Sequence, residues 1–188
     1  MKLSIIIVNY NTYTLTKQTI DSVLEKKLPF EYEIMLVDNA SMDDSMVKLQ
    51  EDYKDIIREG LLKVTLNDAN LGFAKANNIG MRKSKGEYIL LLNSDTYVVE
   101  DCLRQCMQYI ERYNTEAAIQ GENARKIGAL GCKVILPDGS LDHACKRGFP
   151  TPKASLYYFL KLHKKDKEKY GLYLSLIHIS EPTRLDVI

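Results

Sequence analysis

Asn93-Ser94-Asp95 closes the apolar run Tyr88-Ile89-Leu90-Leu91-Leu92. A buried strand that ends in a lone carboxylate offers a hard oxygen ligand, suited to a divalent cation that also holds phosphate oxygens. Two other apolar runs end alike. Leu3 to Val8 leads into Asn9-Tyr10-Asn11, and Ile34 to Val37 leads into Asp38-Asn39. Three strands thus deliver Asn and Asp to their carboxyl ends, where open α/β sheets bind ligands.

What is absent narrows the phosphate chemistry. A dinucleotide fold places G-x-G-x-x-G after its first strand, so that backbone amides approach the pyrophosphate. Here the turn reads Asn9-Tyr10-Asn11-Thr12-Tyr13-Thr14, without glycine, and no G-x-x-x-x-G-K-[ST] occurs. A bound diphosphate therefore needs another source of positive charge, and Mg²⁺ or Mn²⁺ on Asp95 would supply it. Asp95 also has a plain reading as a turn or capping residue. Asp38 has two readings as well: a cap for the following helix, or an acceptor for the imide N–H of a pyrimidine base. Asn70-Leu71-Gly72-Phe73-Ala74-Lys75-Ala76-Asn77-Asn78 opens a helix with amides and small residues, which suits close approach of a ligand to a helix N-terminus.

The elements that position these residues alternate. Thr12 or Thr14 caps a helix running to about Lys27, with Leu15, Thr19, Val23 and Leu24 on one face, and Leu28-Pro29 stops it. A strand at Tyr32 to Val37 follows. Ser41 or Asp43 then caps a helix through about Ile57 that ends at Gly60. Leu62 to Leu66 reads as a strand and Gly72 to Lys83 as a helix, with Phe73, Ala76, Asn77 and Gly80 on one face. The Tyr88 strand and a helix over Asp101 to Tyr113 complete the series. This order implies a doubly wound, mostly parallel α/β sheet covered on both faces. Beyond residue 126, Ile127 to Leu136 is apolar, Asp138-Gly139 signals a hairpin and Ser140 to Cys145 returns antiparallel. Lys153 to Tyr173 is basic and aromatic, the pattern of a helix packed by its aromatic side or lying on an anionic membrane.

Composition excludes several classes. At 188 residues with 45% apolar content, the chain suits one domain and the beginning of a second part. A net charge of +1 argues against wrapping nucleic acid. The opening residues lack the apolar length of a signal peptide, and no run approaches a membrane span. The four cysteines, Cys102, Cys106, Cys132 and Cys145, form no C-x-x-C pair. They read as scattered reduced thiols rather than as a metal site with His143.

Four segments taken together resemble the family-2 inverting glycosyltransferases of the GT-A fold, rhamnosyltransferase-like members in particular. They are Ser4-Ile5-Ile6-Ile7-Val8-Asn9-Tyr10-Asn11, Val37-Asp38-Asn39-Ala40-Ser41-Met42-Asp43, Asn70 through Gly80, and Leu91-Leu92-Asn93-Ser94-Asp95-Thr96. The resemblance implies a dTDP- or UDP-sugar donor, and a glycan or lipid-linked acceptor in cell-surface polysaccharide synthesis. It places Asn9, Asn11, Asp38, Asn39, Ser41, Asn70, Gly72, Phe73, Ala74, Asn77, Asn93 and Ser94 around the donor. It puts Asp95 at the metal position of a D-x-D motif whose first Asp is Asn93 here. The implied reaction is one in-line displacement, with a carboxylate taking the acceptor proton.

In that family the base lies in a later Glu-Asp pair, and Asp166, Glu168, Glu181 and Asp186 stand in no such setting. No catalytic base is therefore expected in this chain, which reads as a C-terminally truncated, inactive piece. Residues 1–136 are expected to form the donor part and 137–173 the start of an acceptor part. Residues 174–188 read as a non-native tail, because Leu174 through Arg184 resembles a translated sequencing adapter. The expected location is cytoplasmic, with a candidate peripheral contact at the membrane. Two other readings compete. A non-catalytic nucleotide-sugar binding module would share the donor site, whereas a nucleotidyltransferase would need a glycine-rich basic loop after the first strand.

Overall fold

The computed structural model describes residues 1–120, 126–142 and 151–162. The chain divides into two compact units, Met1–Val99 and Glu100–Ile188.

In the first unit the apolar runs form parallel strands β1 (Leu3–Asn9), β2 (Tyr32–Asp38), β3 (Leu62–Leu66) and β4 (Tyr88–Asn93), as expected. Their order is β3-β2-β1-β4. Alternate residues of a strand point to opposite faces, so continuous apolar runs imply burial on both. Ile5, Ile7, Ile34 and Leu36 are fully buried on one face. On the other, Ile6, Met35 and Val37 pack with Ala76 of helix α4 (Phe73–Lys83). Gly80 allows that close approach: a Cβ there would lie 2.6 Å from Ile6 Cγ2. The edge strand β4 departs from two-sided burial, since Ile89 and Leu91 remain 45% and 48% exposed.

Helix α1 (Tyr13–Leu24) is shorter than expected, and its buried residues are Thr16, Thr19, Ile20, Ser22 and Val23. Leu15 lies exposed, so the inner face is rotated toward these polar residues. The second predicted helix is broken into α2 (Ser45–Asp52) and α3 (Lys54–Arg58) at Tyr53. The buried Tyr53 hydroxyl donates to Asp21 Oδ1 at 2.7 Å and to Lys17 O at 3.1 Å. These bonds to α1 hold the break. Phe73, assigned above to the inner face of α4, is 58% exposed, while Ala76, Asn77 and Gly80 are buried.

At the amino ends of the strands lies Glu33, a fully buried carboxylate on β2. It accepts from Ser4 Oγ at 2.6 Å, Lys63 Nζ at 2.5 Å and the Lys85 amide at 2.6 Å. Burial pushes its pKa up, but these three donors, Lys63 foremost, outweigh burial and hold it below the ordinary value.

The second unit contains α5 (Cys102–Gln120), longer than expected, and α6 (Pro152–Phe159). Leu103, Met107, Ile110 and Ala117 are buried at helical spacing along α5. The predicted hairpin appears as a turn with one antiparallel bridge, Ile135 to Leu141. Asp138 closes it by accepting from the Ser140 amide at 2.9 Å and hydroxyl at 2.6 Å. On α6, Leu156 and Phe159 are exposed, so the expected aromatic packing is not made by these two. His143, Cys145 and residues 163–188, including the suspected tail, lie outside the described residues.

Candidate active site

Strand register brings the three polar strand ends to one level. Asn9 pairs with Asp38, and Val8 pairs with Asn93. Between β1 and β4 the direction of winding reverses, because β2 and β3 lie on the far side of β1. Such a switch point opens a crevice beyond the strand carboxyl ends. The segments bordering it are Asn9-Tyr10-Asn11 and Asn93-Ser94-Asp95.

Asn9 is fully buried and forms the hub of a polar network. Its amide nitrogen donates to Asp38 Oδ1 at 2.8 Å, Ser41 Oγ at 3.0 Å and Ser45 Oγ at 3.1 Å. Its oxygen accepts from Thr16 Oγ1 at 2.7 Å and Thr12 Oγ1 at 3.1 Å. Thr12 therefore stands at the N-cap of α1 with its hydroxyl turned toward Asn9 rather than toward a helix amide.

Asp38 is buried too. One oxygen accepts from Asn9 and, at 2.5 Å, from the Ser41 hydroxyl, while the other accepts from the Ser41 amide at 2.9 Å. The carboxylate thus closes the Asn39–Ser41 turn, in which Ala40 takes a positive φ of 63°. Asp43 serves the start of α2, accepting from the Ser45 amide at 3.1 Å and its hydroxyl at 2.5 Å. That hydroxyl bond, ahead of the other contributions, holds the Asp43 carboxyl below its ordinary range.

Asn39 braces the entrance to α4. Its amide nitrogen donates to Asn70 Oδ1 at 2.7 Å, and its oxygen accepts from the Leu71 amide at 3.0 Å. Asn70 Oδ1 also accepts from the Gly72 amide at 3.0 Å. Gly72 has φ 77°, a conformation that strains any residue with a Cβ. Phe73 and Ala74 are exposed on the first turn, whereas Asn77 is buried and donates to Phe73 O at 2.9 Å. Asn11, at φ 54°, is exposed and accepts from the Met42 amide at 2.8 Å.

Asn93 and Asp95 are exposed, and the Asp95 carboxylate has no hydrogen bond or ion pair among the described residues. The loop that carries it is held from beneath. Thr19 Oγ1 on α1 donates to Ser94 O at 3.0 Å and Thr96 O at 2.7 Å. Ser22 Oγ accepts from the Val98 amide at 3.0 Å and donates to Thr19 O at 2.7 Å. Sequence reasoning missed Thr16, Thr19, Ser22 and Ser45 as positioning residues. The available signal was a run of hydroxyls on the inner face of a helix, where apolar side chains are the rule. Thr19→Val keeps the shape and removes the donor to two carbonyls. It is expected to lower stability by about 1–3 kcal/mol and to weaken any ligand held through Asp95. Denaturant unfolding together with nucleotide calorimetry checks both effects.

The site groups divide into a buried floor (Asn9, Asp38, Asn39, Asn77) and an exposed rim (Asn11, Gly72, Phe73, Ala74, Asn93, Asp95). The rim offers one unpaired carboxylate beside amide groups, a set fitted to a hard divalent cation and a polar ligand.

Known proteins resemble this chain in sequence and in fold. The chain is 30% identical over 145 residues to a poly(ribitol-phosphate) beta-glucosyltransferase of Bacillus spizizenii, covering 75% of this chain and 23% of that protein. It is 25% identical over 146 residues to the poly(ribitol-phosphate) beta-N-acetylglucosaminyltransferase TarS of Staphylococcus aureus, covering 75% of this chain and 25% of TarS. The chain thus spans about a quarter of the length of these curated relatives. A crystal structure of TarS superposes with TM-score 0.51 at 28% identity, over 60% of this chain and 20% of that one. TarS 1–349 has also been solved with UDP-GlcNAc, matching at TM-score 0.52 and 23% identity over 74% of this chain and 42% of that one. A mannosyltransferase of Pyrobaculum calidifontis, solved with GDP-Man and Mn²⁺, shares the fold at TM-score 0.57 and 19% identity, over 73% of this chain and 36% of that one. Residues 4–132 match the sequence model of glycosyl transferase family 2, which takes in the strands, the floor and the rim together, and the chain belongs to that family.

Proposed function

We propose that this chain carries the donor half of an inverting glycosyltransferase. The enzyme would move a sugar from a UDP- or dTDP-linked donor, rhamnose among the candidates, to a glycan or lipid-linked acceptor of a cell-surface polysaccharide. The observation that carries this reading is Asp95, an exposed carboxylate without a protein partner among the described residues, at the end of β4 beside the switch point. Relatives that glycosylate poly(ribitol-phosphate), and neighbours solved with UDP-GlcNAc or with Mn²⁺, support the donor class and the metal.

Asp95 would hold Mg²⁺ or Mn²⁺, with Asn93 as a weaker, dipolar ligand. The ion's chemistry there is to neutralise charge growing on the departing diphosphate. The chain's own residues orient the donor. Thr19 and Ser22 fix the Asp95 loop, and Asn39 with Asn70 sets the exposed first turn of α4. Asp38 Oδ2 takes only the Ser41 amide among the described residues and keeps a lone pair for a uracil or thymine imide N–H.

Among the described residues, no group at the site is assigned the part of taking the acceptor proton. General-base assistance contributes roughly 10²–10⁴-fold, so the chain by itself is expected to bind donor without efficient transfer. The proposed location is the cytoplasmic face of the membrane, with the basic stretch 153–173 in peripheral contact. No helix among the described residues is long and apolar enough to cross a membrane.

Calorimetry with UDP, dTDP, ADP and GDP in the presence of Mn²⁺ tests the base assignment. The pyrimidine nucleotides are expected to bind more tightly. Asp38→Asn, which preserves volume, should reduce that preference by about 1–3 kcal/mol. Equal affinity for all four would overturn the role given to Asp38.

A further inference from the structure

We propose that Cys102, Cys106 and Cys132 form a trithiolate site for Zn²⁺, separate in its residues from the donor-site groups. Cys102 and Cys106 stand one helical turn apart on α5, so their side chains share a face. Cys132, far along the sequence, brings its sulfur to 3.8 Å from Cys102 Sγ and 3.4 Å from Cys106 Sγ. All three sulfurs lie within 4.8 Å of one another, and each is partly buried. The cysteines scattered in the sequence are therefore gathered in the fold, which corrects the reading of isolated thiols.

The spacing is that of a coordination shell. Zn–S bonds of 2.3 Å place two sulfurs of a tetrahedral site about 3.8 Å apart. The two distances to Cys132 lie within a few tenths of an ångström of that spacing, and the third pair lies within 4.8 Å. Thiolates select soft and borderline ions, Zn²⁺ among them, over the hard Mg²⁺ or Mn²⁺ suited to Asp95. Each coordinating thiol gives its proton to solvent, and three thiolates on Zn²⁺ leave one net negative charge. Three protein ligands leave a fourth position for water. The ion would pin the segment around Cys132 to α5 within the second unit.

The test uses the 188-residue chain, reduced and freed of metal by a chelator. Co²⁺ is expected to give a sulfur-to-metal charge-transfer band that saturates at one ion per chain and vanishes on adding Zn²⁺. Cys132→Ser and Cys106→Ser should weaken binding by more than the roughly 10–100-fold that loss of an outer-shell partner costs. Zn²⁺ should also shield three of the chain's four cysteines from a thiol reagent. X-ray absorption at the zinc edge of the unaltered chain keeps the proposal testable where a variant fails to fold. Sulfur neighbours near 2.3 Å are expected. A shell of oxygen and nitrogen alone, or a Cys132→Ser chain that binds Co²⁺ with undiminished affinity and charge-transfer intensity, would overturn it.

Discussion

Asn9→Ala is expected to lower the stability of the chain by about 3 kcal/mol, a large effect for one residue that no solvent touches. Asn9 joins β1 to α1, α2 and the β2 turn through five side-chain hydrogen bonds. Alanine deletes them together. The Thr16 hydroxyl would lose its 2.7 Å acceptor, and one oxygen of the buried Asp38 would lose a donor. Urea unfolding measures the loss, and a change below about 0.5 kcal/mol would show the network to be incidental. Asn9→Asp sharpens the test. A second carboxylate against Asp38 is disfavoured when ionised, so its folded pKa rises above the unfolded value. Its cost should be greatest at neutral pH and shrink as pH falls toward about 4.

Glu33 supplies the second large effect, with the opposite pH sign. Its folded pKa is held below the ordinary value, so its contribution is present above the unfolded pKa and fades as pH falls through the folded one. Glu33→Ala should cost about 2–4 kcal/mol at pH 7. It leaves Ser4 and the Lys85 amide without their buried acceptor and opens a cavity, although Lys63, 35% exposed, stays partly hydrated. Glu33→Gln should cost less at pH 7. Its deficit against the parent chain should begin to narrow below about pH 4, the ordinary carboxylate range, and close as pH falls through the lower folded pKa. A deficit unchanged between pH 7 and pH 3 would mean that folding does not lower the Glu33 pKa and would contradict this reading.

Much of the first unit was legible because β1, β2 and β4 are largely apolar runs that stop at Asn or Asp. Leu3 to Asn9 and Tyr88 to Asn93 carry both the core and the site on one short stretch each. Gly60, with φ 80°, marks a real chain reversal, and Pro29 lies beyond α1. The rest depended on partners remote in sequence. Thr19 reads as an ordinary helix residue until its hydroxyl is seen to hold carbonyls 75 and 77 positions away. Tyr53 breaks a helix whose periodicity runs straight through it, because its hydroxyl is claimed by α1. Leu15 lies on the exposed side because the inner face of α1 buries Thr16, Thr19 and Ser22 beside Ile20 and Val23. The cysteines could not be read together either, since a helical turn and a separate segment bring them to one point.

The same distinction applies to the site. Residue types at strand ends pointed to the rim, yet Asn9, Asp38 and Asn39 are also the bonds that hold the loops in shape. Any ligand role at these residues thus comes on top of a structural one. Variants at these positions therefore need a stability measurement beside every binding measurement. Asp95 is the exception, free of protein partners among the described residues and so separable from the fold.

That separability makes Asp95→Asn the most direct measurement. Titrating UDP into the parent chain and into Asp95→Asn, each with and without Mn²⁺, compares four affinities at matched ionic strength. The expected result is a parent chain whose UDP affinity rises on adding Mn²⁺, and a variant of unchanged melting temperature in which that rise is lost. Asn93→Ala should reduce the rise only modestly, because an amide offers the ion a dipole and no charge. A Mn²⁺ enhancement that survives Asp95→Asn in full would contradict the account.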